Sequence, residues 1–181
     1  MKKLSLLLAA VIISLVGFSQ DLYQLTKGSI KFYSEAPLEN IEAVNEKSKS
    51  VLNLAKKQVA VVIPIINFKF ESALMEEHFN ENYMDTEKFP NGKLQGTINE
   101  DIDLTKVGEY DVTITGKLTI HGVEKERTIP VKLKVEKNKI LANSKFDVKV
   151  ADHDIEIPKI VFQNIAEVVE VTVNFEYEPK K

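Results

Sequence analysis

Strict alternation of apolar and polar residues is the feature of this sequence that most restricts its fold. Between Tyr110 and Ile120 the apolar residues fall on one face of an extended chain and the polar residues fall on the other. The same period of two returns over residues 129–135, 142–150 and 169–177. This repeat is typical of β-strands with one buried and one wet face. Because short turns separate several of these segments, the pattern predicts an antiparallel meander.

The first half of the chain shows the same pattern less regularly. Shorter strands are predicted over residues 23–33, 38–46 and 49–54. Gly28 is expected at a bend or bulge, because glycine in a strand interior often marks one. The segment Gln58–Phe70 is apolar on both faces as far as Asn67. We therefore expect another part of the chain to cover its outer face.

The segment His78–Gly96 interrupts the series of strands and predicts a helix and a loop. Ser72 is a suitable N-cap for a helix, and the residues after it place apolar side chains at helical spacing. Pro90 then begins a turn that leads into the next strand. We expect this segment over the flank or mouth of a barrel, facing inward with its Phe and Tyr side chains and outward with its acids and amides.

The start of the chain predicts export. Residues 1–20 have basic Lys2 and Lys3, an apolar run over Leu4–Val16, and small or polar residues before Asp21, as in a secretory signal peptide. The alternative is a permanent membrane anchor, but that run is shorter than the roughly 20 residues that cross a bilayer. We expect a periplasmic or secreted protein without a stable membrane anchor, built as one domain over residues 21–181.

Composition excludes several classes of function. The chain contains no cysteine, which rules out disulfides, cysteine nucleophiles and cysteine-ligated metals. Its formal net charge is −3, and removal of the signal peptide makes it more negative. Such a chain has no basic field that would attract nucleic acid. The sequence does not determine the oligomeric state.

Residues that could carry chemistry do not form a recognisable catalytic or metal-binding pattern. The three histidines, His78, His121 and His153, belong to no metal-binding spacing. His121 is expected in a hairpin turn, and His153 in a loop with ordinary turn acids. His78 is either structural or a polar contact at the mouth of a cavity. No G-x-S-x-G elbow or glycine-rich phosphate loop is present, so we expect no enzymatic activity and no cofactor.

These elements predict an all-β, antiparallel barrel of roughly eight strands, with a short helix and loops at one rim. A barrel of that size either fills its interior with side chains or holds one small ligand. The sequence leaves both outcomes open. The candidates to face the interior are Ile30, Phe32, Phe68, Phe70, Phe79, Tyr83, Phe89, Tyr110, Val112, Ile114, Leu118, Phe146, Val148, Val171, Val173 and Phe175.

Three stretches of the sequence together resemble the YceI-like family. They are "FKFESALMEEHFNENYMDTEKFPNGKLQGTI", "LTIHGVEKERTIPVKLKV" and "SKFDVKVADHDIEIPKIV". The shared order is a Phe-rich strand, a helix with "HF", a "Y/F-P" before a glycine-containing strand, and a "T-x-HGV-x-K" hairpin. The resemblance extends from about Tyr23 to Tyr177. It implies an exported, lipocalin-like barrel with an elongated apolar cavity, in a family associated with polyisoprenoid chains such as isoprenoid quinones or prenyl pyrophosphates.

Two functional hypotheses follow. The first is a periplasmic protein that sequesters or carries an isoprenoid-like or other long-chain lipid in the barrel, without a cofactor. The second is an exported barrel with a filled core that acts as a stress-response or protein-interaction module. They differ in whether the inward-facing side chains leave a cavity between them.

Overall fold

The computed structural model describes residues 21–159 and 163–180, so the predicted signal peptide over residues 1–20 lies outside the described residues. The strands are β1 (Leu22–Glu35), β2 (Asn40–Asn45), β3 (Lys49–Asn53), β4 (Gln58–Pro64), β5 (Lys69–Phe70), β6 (Asn91–Ile98), β7 (Gly108–Ile120), β8 (Val123–Val135), β9 (Ile140–Lys149) and β10 (Val168–Pro179). One α-helix, α1, spans Ala73–His78. Short helical turns occupy Ile65–Asn67, Phe79–Tyr83 and Val150–His153.

The sheet closes into an antiparallel barrel, because β10 pairs with β9 on one side and with β1 on the other. Eight strands form the ring, in the order β10, β9, β8, β7, β6, β4, β3 and β1. This confirms the predicted all-β barrel of roughly eight strands with a short helix. Within the described residues, no helix is long and apolar enough to cross a bilayer.

The remaining strands, β2 and β5, are parts of two ring strands that are interrupted. Alongside β1, β2 pairs with residues 30–35 and β3 pairs with residues 22–24 in the same register, so the pair is one strand broken over residues 46–48. At this break, Asn45 is fully buried, and its Nδ2 donates to the carbonyl of Pro64 at 2.8 Å. Its Oδ1 accepts from the N–H of Lys47 at 2.8 Å. Asn45 therefore joins the break after β2 to the end of β4.

One end of the barrel is filled by side chains that meet in the middle. Tyr177 is 3% exposed and Ile140 is completely buried at this end. The Tyr177 hydroxyl lies 2.7 Å from Ser50 Oγ, and burial raises the pKa of Tyr177 to about 12. We call this region the filled end. Its other buried residues are Leu52, Leu54, Val59, Val61, Ile98, Leu104, Val112, Ile114, Ile129, Val131, Leu133, Val135 and Phe175.

Three local predictions were wrong. The bulge in β1 lies between Leu25 and Lys27, whereas Gly28 lies against Phe175, whose Cδ1 would be 2.5 Å from an added Cβ. His121 lies in the hairpin turn between β7 and β8, as predicted, but that turn has two residues, His121 and Gly122, whereas the sequence predicted a turn over "HGVEKER", residues 121–127; both residues have positive φ, as a tight hairpin turn requires. The outer face of Gln58–Phe70 is uncovered, since Val62 and Ile66 are 39% and 54% exposed.

Candidate functional site

The other end of the barrel is hollow. It encloses a cavity of about 390 Å³ whose walls are nearly all apolar. Four barrel strands each supply two or more inward-facing side chains to it, in each case from the half of the strand that lies away from the filled end. These residues are Ile30 and Phe32 on β1, Leu118 and Ile120 on β7, Phe146 and Val148 on β9, and Val169 and Val171 on β10.

The change from filled to hollow is visible along single strands. On β7, Val112 and Ile114 are buried among other side chains, while Leu118 lines the cavity. On β10, Phe175 belongs to the filled end and Val171 lines the cavity. The interior of an eight-stranded barrel is only just wide enough for side chains to fill. Side chains can therefore fill the interior at one height along the barrel axis and leave it hollow at another height.

A cluster of four phenylalanines covers one side of the cavity. Phe32 lies at its centre, with ring centroids 5.4 Å from Phe68, 5.7 Å from Phe70 and 5.4 Å from Phe79. Phe79 also contacts Phe70 at 5.0 Å and Phe68 at 5.7 Å. Aromatic pairs at these separations add stabilisation beyond their buried area. The cluster joins β1 and β5 to the helical turn that follows α1.

The segment of residues 72–90 lies over this end of the barrel, and we call it the cap. Ser72 is its N-cap, as predicted, and accepts from the N–H of Met75 at 3.4 Å. Glu76 forms an ion pair with Lys69 on β5. Asn80 donates to the carbonyl of Glu76 at 2.8 Å and accepts from the Thr86 hydroxyl at 3.0 Å. The cap is thus held by its own polar groups while Phe79 and Tyr83 face the cavity.

Polar side chains contribute little of the cavity lining. Glu39 and Asn164 lie together there, with Asn164 Nδ2 donating to Glu39 Oε2 at 3.3 Å. Ser34 is buried and its hydroxyl accepts from the N–H of Ala166 at 2.9 Å. His78 also reaches the cavity from α1 while remaining exposed to solvent. Burial raises the pKa of Tyr83, the tyrosine of the cap that lines the cavity.

Many of the residues predicted to face a cavity do line it. These are Ile30, Phe32, Phe68, Phe70, Phe79, Tyr83, Leu118, Phe146, Val148 and Val171, together with the polar candidate His78. The structure brings them to one end of the barrel, although they come from seven different elements and, for Phe68, from the residue before β5.

The other predicted residues lie elsewhere. Val112, Ile114 and Phe175 are buried in the filled end, and Val173 packs against it. Phe89 contacts the ring of His121, with centroids 4.7 Å apart. The hydroxyl of Tyr110 donates to the carbonyl of Lys106 at 3.0 Å. All of these residues are apolar or aromatic, but none of them lines the cavity.

Sequence reasoning missed several residues that line the cavity. Ile120, Val150 and Val169 continue the predicted alternating rows, so the pattern could have identified them. Met75 belongs to the apolar stripe at helical spacing that follows Ser72, so the pattern could have identified it as well. Met84 of the cap and Ile155 and Ile157 of the loop before β10 lie outside the predicted rows. The remaining missed residues are Ser34, Glu39, Ile41, Ile63, Ile65, Gly92, Asn164 and Ile165.

The other two histidines have structural roles. His153 is fully buried, whereas the sequence predicted an ordinary acidic loop. Its Nδ1 lies 3.1 Å from the carbonyl of Val123, and burial lowers the pKa of His153. The Nδ1 of His121 lies 3.1 Å from the carbonyl of His153. Among the described residues, no group of His, Asp and Glu side chains is arranged to hold a metal ion.

A family model described as the YceI-like domain matches residues 24–177. The chain belongs to the YceI-like family. Domains of this family are binding domains. The match confirms the resemblance drawn from the three sequence stretches, and it covers the whole barrel of this YceI-like protein.

Solved structures give the same fold. A domain from Saccharophagus degradans, described as a polyisoprenoid binding domain implicated in plant cell wall breakdown, has a TM-score of 0.75 at 15% identity, covering 87% of this YceI-like chain and 98% of that one. Burkholderia cenocepacia BcnA gives 0.70 at 16%, with coverages of 82% and 95%. The YceI protein of Campylobacter jejuni gives 0.67 at 17%, with coverages of 81% and 90%. No curated protein sequence matches the chain.

Proposed function

We propose that this YceI-like protein binds the tail of one polyisoprenoid or similar long-chain lipid in the hollow end of its barrel, and sequesters or carries that lipid after export to the periplasm. The observation that carries this proposal is the apolar cavity of about 390 Å³. The YceI-like fold and the polyisoprenoid binding domain among its structural relatives support it. The cavity weighs against the alternative of a barrel filled throughout.

The size of the cavity sets the length of tail that it can enclose. A dry apolar cavity of about 150 Å³ in another protein holds one benzene ring. By proportion, a volume of about 390 Å³ has room for about fifteen carbon atoms, or about three isoprene units. A longer tail would extend through the mouth.

The lining can supply enough binding energy without a charged anchor. Burial of hydrocarbon contributes about 0.8 kcal/mol per CH₂, so one isoprene unit contributes up to about 4 kcal/mol. About three units give up to about 12 kcal/mol before the costs of association and ordering, which amount to several kcal/mol. With the smallest of these costs, about 4 kcal/mol, the difference is about 8 kcal/mol, which corresponds to about micromolar binding. No catalytic group or cofactor is needed for this function.

A chain-length series tests the proposal. Prenyl alcohols of increasing length are titrated against the purified protein by calorimetry, and native mass spectrometry identifies any lipid retained from the periplasm. We expect affinity to rise with each isoprene unit up to about three and to change little beyond that. A protein that is purified empty and takes up none of the alcohols would overturn the proposal.

Two tryptophan variants of β10 provide a matched pair for this test. Val171→Trp places a large ring in the cavity, whereas Val168→Trp places it on the outside of the same strand, where Val168 is 47% exposed. We expect the first variant to weaken binding at least about tenfold and the second to leave it unchanged. Thermal unfolding of both variants checks that each remains folded.

A further inference from the structure

Among the described residues, the cavity lining carries one carboxylate, Glu39, and one histidine, His78. None of those described lining residues is Lys or Arg. Two lysines on strands that line the cavity are paired with other carboxylates, Lys31 with Glu42 at 3.2 Å and Lys69 with Glu76. An anionic head group entering beside Glu39 would therefore meet a negative charge and no Lys or Arg cation from the described lining.

The polar pair at the cavity mainly offers hydrogen-bond acceptors. A carboxylate only accepts hydrogen bonds, and an amide has both a donor and an acceptor end. One of the two Nδ2 hydrogens of Asn164 is directed at Glu39 Oε2, which leaves its Oδ1 and the second carboxylate oxygen of Glu39 as acceptors beside a single remaining N–H. The hydroxyl of Ser34 accepts from the N–H of Ala166, and its own O–H is the one hydroxyl donor near this pair. A head group that donates a hydrogen bond is complementary to this arrangement.

We propose that Glu39 and Asn164 select lipids whose head group is an uncharged hydrogen-bond donor, such as an alcohol, over lipids with the same tail and an anionic head group. The inference rests on the proposed function, because it concerns the head group of a lipid bound in that cavity. Of the two kinds of ligand associated with the family, it disfavours prenyl pyrophosphates. It also assigns a specificity role to Glu39 and Asn164, which sequence reasoning had not identified.

The position of this pair is fixed by backbone contacts. The N–H of Leu38, in the turn between β1 and β2, donates to the carbonyl of Gln163 at 2.9 Å. Together with the bonds of Ser34 and Asn164, this contact ties the β1–β2 turn to the residues that precede β10. The Glu39 side chain is therefore held at the cavity by a connected set of hydrogen bonds, which is what a selective contact requires.

The test compares three ligands with the same tail: farnesol, farnesoic acid and farnesyl monophosphate. Calorimetric titration of the full mature chain is expected to show farnesol binding at least about tenfold more tightly than either anion. Glu39→Lys is expected to reverse the preference between farnesol and the monophosphate. The control Glu35→Lys makes the same charge change on the same hairpin, at an exposed residue outside the cavity lining, and should keep the wild-type order.

The outcomes separate this inference from the function on which it rests. If all three ligands bind with equal affinity, and Glu39→Lys does not change their ratio, head-group selection is wrong while lipid binding stands. If none of the three binds to the folded wild-type protein, both the lipid-binding function and the selection fail. Circular dichroism and thermal unfolding confirm that each variant is folded before it is titrated.

Discussion

Two phenylalanines on neighbouring strands face the same interior and should respond differently to truncation. Phe175 on β10 is 6% exposed at the filled end, and its ring lies 6.0 Å from that of Tyr177. Phe146 on β9 is only partly buried, and one side of it borders the cavity. Replacing each by alanine removes the same atoms from two environments, one filled and one hollow.

The expected costs follow from the number of neighbours that each ring has. Phe175→Ala leaves a void in a closely packed region, and such substitutions cost about 3–5 kcal/mol of unfolding free energy. Phe146 already lacks partner atoms on its cavity side, so its truncation forfeits fewer contacts. We expect Phe146→Ala to cost at most about 2 kcal/mol. Lipid binding should change in the opposite order, weakening strongly for Phe146→Ala and little for Phe175→Ala.

Urea unfolding followed by circular dichroism measures the first difference, provided that both variants unfold in two states with unchanged m-values. Titration with farnesol measures the second. Equal losses of stability for the two variants would refute the division of the interior into a filled and a hollow end. The same conclusion would follow if Phe175→Ala weakened binding more than Phe146→Ala.

Further predictions concern buried polar groups at other places in the barrel. Asn45→Ala should cost about 1–3 kcal/mol in urea unfolding, because it removes a buried amide and the carbonyl of Pro64 loses its donor. Tyr177→Phe should cost about 1 kcal/mol by the same measurement, since Ser50 Oγ loses one hydrogen bond but keeps that to a backbone carbonyl. Burial lowers the pKa of His153, so the unfolded chain takes up a proton that the folded chain resists. Stability should therefore fall as the pH drops below about 6.5, until the folded-state pKa is passed, and unfolding of His153→Gln measured across this range should show a weaker dependence. An unchanged pH profile in that variant would contradict the role given to His153.

The strands could be predicted because their information is local. In β7 and β10 every second residue is apolar, and a strand with one wet face is the simplest structure that satisfies this repeat. The N-cap at Ser72 is local in the same way, since it depends on the sequence immediately around it. The strands and the N-cap could therefore be predicted without knowing which side chains face them from the opposite wall of the barrel.

The height along the barrel at which the interior becomes hollow could not be predicted from local sequence patterns. Ile114 and Leu118 are similar in size, face the same side of β7 and are both buried, but only Leu118 borders the cavity. The difference depends on which side chains the other strands bring to the same height, and this follows from the stagger of the barrel. Glu39 was missed for a related reason, since its partner Asn164 is 125 residues away in the chain.

The barrel has a filled end and a hollow end, and this separation affects how the sequences of such proteins can diverge. The side chains around Ile140 and Tyr177 fill one end of the barrel and do not border the cavity. Substitutions around Leu118 and Val171 can then reshape the chamber for a shorter, longer or bulkier guest at small thermodynamic risk. One scaffold could thereby be retuned to many hydrophobic molecules.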